Sequence, residues 1–408
     1  MLDAPAIDVT RPVDWTAWAD DPYPLYRRLR DEAPVHWDAP NETYVLTRHD
    51  DVYAVLMDHE LYSSVPLDIL EGRQPPTSEI RQQDEPRHRF IRNTVAALFN
   101  PPAMRRREDV IRSIVRELVD RSEEHDVVEV STMLATPLPA TVVLGLIGLP
   151  LSQHAAFHRL MEERLAFLLT RGSRAESSPE ALARFAEIRA EMWEIVLPLI
   201  PERRRDPQPD AITRILETQD EVGKEELSDD VFLNMLLELV TGGFETTQHL
   251  IESLLDELAD RPELWARLRA DRELVPKAIE EMLRFRSPTQ ALGRRPAADV
   301  ELHGVRIPAD SWVTVVYGSA NRDEREFPEP DTYDIDRELR RHVAFSVGVH
   351  YCPGAPVSRA ETRILLDELL DRYEAVERVG PSVPNANMMP GKVGKILGWG
   401  RVPVRFVR

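Results

Sequence analysis

The sole cysteine, Cys352, lies in the run His342-Val-Ala-Phe-Ser-Val-Gly-Val-His-Tyr-Cys-Pro-Gly, which fixes Phe345, Gly348, His350 and Gly354 around it. A lone cysteine is ordinarily a small buried hydrophobe. Here glycines on both sides let backbone N–H groups turn toward the sulfur, and a helix starting just after Pro353 would add its positive end. Both effects stabilise a thiolate, and a thiolate can ligate iron. A second constellation is Gly242-Gly243-Phe-Glu245-Thr246-Thr247. Each mid-helix glycine costs about 1 kcal/mol relative to alanine, so something must press on the helix there: another helix, or a ligand. A carboxylate and a hydroxyl in a buried helix must be hydrogen-bonded. Thr246 could return its hydroxyl to the carbonyl four residues earlier. Alternatively, Thr246 and Glu245 handle protons for a molecule lying over the glycines. The residues of this helix alone leave both readings open.

The elements that must position these residues are mostly helical. Arg105–Asp120, Ala181–Ile200, Asp229–Asp260, Pro262–Ala270 and Val275–Phe285 carry helix-period apolar residues. Thr43–Thr47, Val300–Ile307, Trp312–Tyr317 and Val402–Val407 read as short strands. The Asp229–Asp260 helix has Ser228 as N-cap, two aspartates in its first turn and Pro262 beyond its end. Its span of about 32 residues gives roughly 48 Å, enough to cross a domain. Its first half is apolar nearly all round, which implies burial. Glu238 is the only acid in that half and projects near the face of Gly242, one turn away. It is either a structural partner or a polar anchor in a pocket. No repeat and no Gly/Ser-rich linker divides the chain, so residues 1–408 are expected to form one mainly α domain with a smaller β portion.

Composition removes several alternatives. The 408 residues hold 51 Lys and Arg against 71 Asp and Glu, a net charge of −20, which argues against nucleic-acid binding. One cysteine allows no internal disulfide, no multi-cysteine zinc site and no cysteine-ligated iron–sulfur cluster. The first fifteen residues are acidic and lack an apolar core, and the longest apolar stretch, Val142 to Leu151, is too short for a bilayer. The expectation is a cytoplasmic protein without a membrane segment.

The motifs taken together resemble one family. Phe345-x-x-Gly348-x-His350-x-Cys352-x-Gly354 looks like the heme-binding loop of the cytochrome P450 family. Gly242-Gly243-x-Glu245-Thr246-Thr247 resembles its oxygen-activating helix, and Glu281-x-x-Arg284 its Glu-x-x-Arg pair. Asp84-x-Pro86-x-His88-x-x-x-Arg92 is similar to its propionate-binding helix; Asn321-Arg322-Asp323 and Asp334-Ile-Asp-Arg337 match a later loop. Each alone is weak, but five in the family's order are specific.

The resemblance implies a cytochrome P450 fold, with heme b between the long helix and the cysteine loop. Cys352 would ligate the iron. His88, Arg92, Arg294 and His350 would bind the heme propionates, with Gly242, Phe345 and Gly354 against the macrocycle. Glu281, Arg284 and Arg337 would form a structural network. Thr246, with Glu245, would guide protons toward dioxygen. Ser346 and Pro353 depart from the family, standing where glycine and an aliphatic residue are common. Electrons would come from NAD(P)H through a separate ferredoxin and ferredoxin reductase, because no flavin or iron–sulfur motif is present. A peroxide-driven peroxygenase and a non-enzymatic heme sensor are the alternatives, and the Glu245-Thr246 pair argues against both. The small-molecule substrate would be met by loops near Ser63–Ile80, Leu165–Arg171, Thr289–Leu292 and Ile396–Trp399. Glu238, Thr241, Thr289, Gln290, Ala291 and Leu292 are the candidate pocket residues.

Overall fold

Caps and prolines set the helix boundaries. In the computed structural model, which describes residues 13–408 apart from 19, 67–79, 171–178, 226, 339 and 386–395, Ser228 accepts the Val231 N–H at 3.3 Å, and Asn100 the Ala103 N–H at 2.9 Å. Only the backbone is described for 165–170 and 179. In chain order the helices are α1 (Tyr23–Glu32), α2 (His49–Met57), α3 (Arg87–Ala96), α4 (Pro101–Ser122), α5 (Pro137–Ile147), α6 (Leu151–Thr170) and α7 (Pro179–Val196). Then follow α8 (Leu199–Arg205), α9 (Ala211–Val222), α10 (Asp229–Ala259), α11 (Pro262–Ala270), α12 (Leu274–Phe285), α13 (Tyr317–Ala320) and α14 (Ala355–Arg372).

Two expectations are corrected. The segment Ala181–Ile200 is not one helix: α7 stops at Val196 and α8 begins after Pro198, which has no N–H to continue the ladder. Val300–Ile307 is not one strand. His303 and Gly304 take φ of 51° and 77° and fold it into a two-residue hairpin, β6 with β7 below.

The strands are β1 (Val35–Asp38), β2 (Thr43–Leu46), β3 (Tyr62–Ser63), β4 (Val128–Glu129), β5 (Ala291–Pro296), β6 (Val300–Leu302), β7 (Val305–Ile307) and β8 (Trp312–Val316). The last four are β9 (Ala375–Arg378), β10 (Val383–Pro384), β11 (Trp399–Arg401) and β12 (Pro403–Val407). A five-stranded sheet runs β1-β2-β8-β5-β3, with β2 parallel to β8 and Thr43 opposite Trp312. A three-stranded sheet runs β4-β12-β9, and β10 pairs with β11.

The main apolar core joins α4, α5, α10, α12 and α14, with β9 and β12 at its edge. Helix α10 runs through it, burying Phe232, Leu236, Leu237, Leu250 and Leu254. No single described helix is long and apolar enough to cross a membrane.

Candidate heme and oxygen site

The loop before α14 is shaped by two left-handed residues. Gly348 has φ of 68°, and a Cβ there would lie 2.9 Å from the Leu56 carbonyl oxygen. Ser346 takes φ of 60°, a conformation that favours glycine. It is buried, and Tyr317 donates to its hydroxyl at 3.2 Å. The Cys352 N–H then donates to the Phe345 carbonyl at 2.8 Å and closes the loop. Because Pro353 has no N–H, the donors to the sulfur are the next two amides, Gly354 and Ala355, at the start of α14. Burial pushes the Cys352 thiol up, more than those amides and the guanidinium groups of Arg92 and Arg359 pull it down. A metal cation at the sulfur would reverse that balance.

A cavity separates Cys352 from α10. On the α10 side it is lined by Gly242, Gly243, Thr246 and Thr247. The two glycines divide the two expected causes. A Cβ on Gly243 would meet Val143 of α5 at 3.0 Å, so helix packing requires that one. A Cβ on Gly242 would meet nothing within 4 Å, so Gly242 opens on the cavity. Strand β5 contributes Leu292 and Arg294, two apart and therefore on one face. Gly293 between them takes the other face, where the Trp312 ring fills the space of a Cβ.

Cations gather at one end of this cavity. Arg92 of α3 donates to the Tyr351 carbonyl at 2.7 Å, and Arg294 to the Gly293 carbonyl at 2.8 Å. The His88 and His350 rings lie 4.3 Å apart. His88 meets Glu85 through Nδ1, and its buried Nε2 has no partner. Burial, together with Arg294, His88 and Arg92, drives His350 down to about 2. Charge-assisted bonds from the two arginines, with N–H donors from the imidazoles, suit carboxylates. A buried sulfur, a side-chain-free patch on the facing helix and donors for carboxylates fit a heme with its two propionates.

Thr246 donates its hydroxyl proton to the Gly242 carbonyl at 2.8 Å and faces the cavity. Glu245 is buried and is not among the cavity-lining residues; its carboxylate lies 3.8 Å from Nε2 of His249, one turn along α10. Glu238 reaches the cavity and also accepts the backbone N–H groups of Ile80 and Arg81, tying α10 to the segment before α3. Thr241 donates to the Leu237 carbonyl at 2.7 Å and accepts from the buried Arg164 of α6 at 3.2 Å. Of the four candidates before and in β5, Leu292 lines the cavity. Thr289 bridges to Ile396, Gln290 folds its buried amide onto the Ser287 carbonyl at 2.6 Å, and Ala291 pairs with Val316. Most of the Ser63–Ile80 loop, at 67–79, and the side chains of 165–171 lie outside the described residues.

Behind the loop, Glu281 and Arg284 make a two-pronged buried pair at 2.8 and 2.7 Å, and Arg337 reaches Glu281 at 3.2 Å. Arg284 also donates to the carbonyls of Asn321, Pro330 and Thr332. Sequence reasoning missed His249 and Glu252, which are buried with Glu245 on α10. Their spacing of four and three residues from one another is the signal that could have found them.

A cysteine loop facing a helix across a cation-lined cavity defines a class of heme proteins. The cytochrome P450 family model matches residues 26–395. The chain is 30% identical over 389 residues to cytochrome P450 109 of Bacillus spizizenii, covering 94% of this chain and 92% of that one. It is 34% identical to the cytochrome P450 monooxygenase PikC of Streptomyces venezuelae, covering 87% and 84%. Among solved structures, CalO2 superposes with a TM-score of 0.84 at 28% identity, covering 99% of each chain. CYP109E1 from Bacillus megaterium, in complex with corticosterone, gives 0.80 at 29%, covering 95% of this chain and 98% of that one. The chain belongs to the cytochrome P450 family: it is a heme-containing monooxygenase.

Proposed function

We propose that this single-domain, cytoplasmic enzyme inserts one oxygen atom from O2 into a small, largely apolar molecule, using electrons passed from NAD(P)H through a separate ferredoxin reductase and ferredoxin. Cys352 is the iron ligand in this reading, and His88, Arg92, Arg294 and His350 hold the propionates. Heme held through a thiolate supplies dioxygen binding and O–O cleavage. The protein supplies the rest. Gly354 and Ala355 donate N–H groups to the sulfur. Thr246 holds a hydroxyl proton at the cavity wall, and Glu245 stands next to it in sequence as the acid. Phe99, Val143, Leu146, Leu239 and Leu292 make the cavity wall apolar and favour an apolar guest. Relatives point the same way: one is an erythromycin C-12 hydroxylase, and one solved neighbour holds testosterone.

The observation that carries the proposal is that Cys352 and Thr246 line one and the same cavity. The reduced, carbon-monoxide-treated protein should show a strongly red-shifted Soret band, because a thiolate donates more charge to iron than imidazole does. Cys352→Ser should lose that shift. Retention would overturn the assignment, since the sequence holds no other cysteine.

A further inference from the structure

Three ionisable side chains are buried side by side on α10. Nδ1 of His249 lies 2.7 Å from Oε2 of Glu252, and its Nε2 lies 3.8 Å from Oε1 of Glu245. The side chains of His249, Glu252 and Glu245 are 1%, 0% and 9% exposed, so their charges interact through protein. Two buried carboxylates require a cation or a proton. Among the described residues that contact the pair, His249 is the group that can supply the positive charge.

The three members are held with unequal firmness. Glu252 also accepts from Gln248 at 2.9 Å and from the Trp399 N–H at 3.2 Å. The His249 imidazole is clamped by the β10–β11 hairpin, because it occupies the place of a Cβ on Gly398. Among the described residues, Glu245 has only the long 3.8 Å contact. It is therefore the member whose side chain can swing while the other two stay fixed.

We infer that His249 is a positioning residue: as a buried imidazolium it parks the Glu245 carboxylate one turn from Thr246 and so sets when that acid is released toward the cavity. This rests on the proposed role of Glu245 and Thr246. Burial alone would push His249 down, but the Glu252 hydrogen bond and the charges of Glu245 and Glu252 outweigh it and hold it at about 9. From the hairpin His249 faces Asn385, at 3.4 Å, and Gly398, neither of them charged. Neighbouring Trp399 carries the Arg286 guanidinium 4.1 Å from its ring. With both ring nitrogens protonated, Asn385 presents its amide oxygen to Nε2; nitrogen and oxygen of an amide exchange places by a simple flip. The hairpin also reaches the pocket loops. Ile396 bridges Thr289, and the Leu397 N–H donates to the Pro288 carbonyl at 2.9 Å. His249 thus joins the proposed acid to the strap beside the substrate.

The test uses heme-loaded protein with a surrogate ferredoxin and reductase and no added substrate, reading peroxide released per O2 consumed. Glu245→Gln and Thr246→Ala are the reference variants. His249→Gln keeps a donor without charge, and His249→Phe keeps a ring against Gly398. Both should raise the peroxide fraction severalfold at neutral pH. In the wild type that fraction should climb as pH rises through about 9, and in His249→Gln it should stay flat there. A readout independent of turnover is melting temperature. A histidine raised from 6.5 to about 9 stabilises the fold fully below pH 6.5 and loses that contribution as pH rises through 9. The gap between wild type and His249→Gln should close over that window. Unchanged peroxide fractions and pH profiles in both His249 variants, beside uncoupled reference variants, would overturn the inference alone. Silent reference variants would overturn the Glu245–Thr246 reading and this inference with it. The wild-type pH profile decides the matter even if a variant fails to take up heme.

Discussion

Thr246 gives its only proton to the Gly242 carbonyl, so its oxygen lone pairs are what it offers the cavity. In its proposed role Thr246 acts on the reaction path and contributes little to ground-state binding. Thr246→Ala should therefore bind heme and substrate as the wild type does, and release more peroxide with less product per NAD(P)H. Unchanged coupling removes Thr246 from the mechanism. At this scale the proposed chemistry rests on residue types that stand out in a sequence because they cost stability unless they work: glycines and a hydroxyl in a buried helix, a cysteine among glycines. Legibility failed where a side chain's direction decides. Gln290 and Leu292 read alike as pocket candidates, yet one amide is folded onto Ser287 and the other side chain lines the cavity. Glu238 was read with a side-chain partner or a ligand in mind, and it holds two backbone amides. Neither backbone partner has a side-chain signature.

Element boundaries followed local chemistry wherever one residue fixes them. Ser228 caps α10 through the Val231 N–H, with Asp229 and Asp230 in the first turn. Ser228→Ala should lower stability by about 1 kcal/mol in chemical denaturation and leave the Soret spectrum alone, since the cap lies about five turns from Thr246. A loss much below that would mean the aspartates carry the cap's work. The expected starts and ends of α10, α11 and α12 lay within a residue of those observed, because caps and prolines mark them. The His303-Gly304 turn was missed because histidine is not a usual left-handed residue, so the run read as one strand. Helices α1 and α2 went unread: each is short, and each gains its order from packing against distant segments. Arg30 of α1, for instance, donates to the hydroxyl of Ser319 in α13 at 3.1 Å.

The whole molecule carries a net charge of −20, so the proposed ferredoxin, taken as acidic, needs a local field of the opposite sign. Lys277, Arg340, Arg341 and Arg359 line one surface cavity together with Phe345 and Tyr351 of the cysteine loop. Arg105, Arg106 and Arg107 of α4 are further candidates, although Arg107 is drawn onto the carbonyls of Leu98 and Pro209. Charge reversal at Arg340 and Arg341 should slow electron transfer from the ferredoxin and flatten its dependence on salt. An untouched rate and salt profile would place the docking surface elsewhere. Sheet order was the least legible feature, since pairing between segments hundreds of residues apart leaves no local trace in either. That pairing also has a cost in time. The Thr43 hydroxyl meets the Trp312 carbonyl across 269 residues of chain. At the usual pace of synthesis, ~5–20 residues per second, strand β2 leaves the ribosome roughly 13–54 s before its parallel neighbour exists. Throughout that interval the β1–β2 hairpin is a nascent edge open to pairing with other chains, and whatever sheathes it in the cell matters as much to the yield of enzyme as any contact in the finished fold.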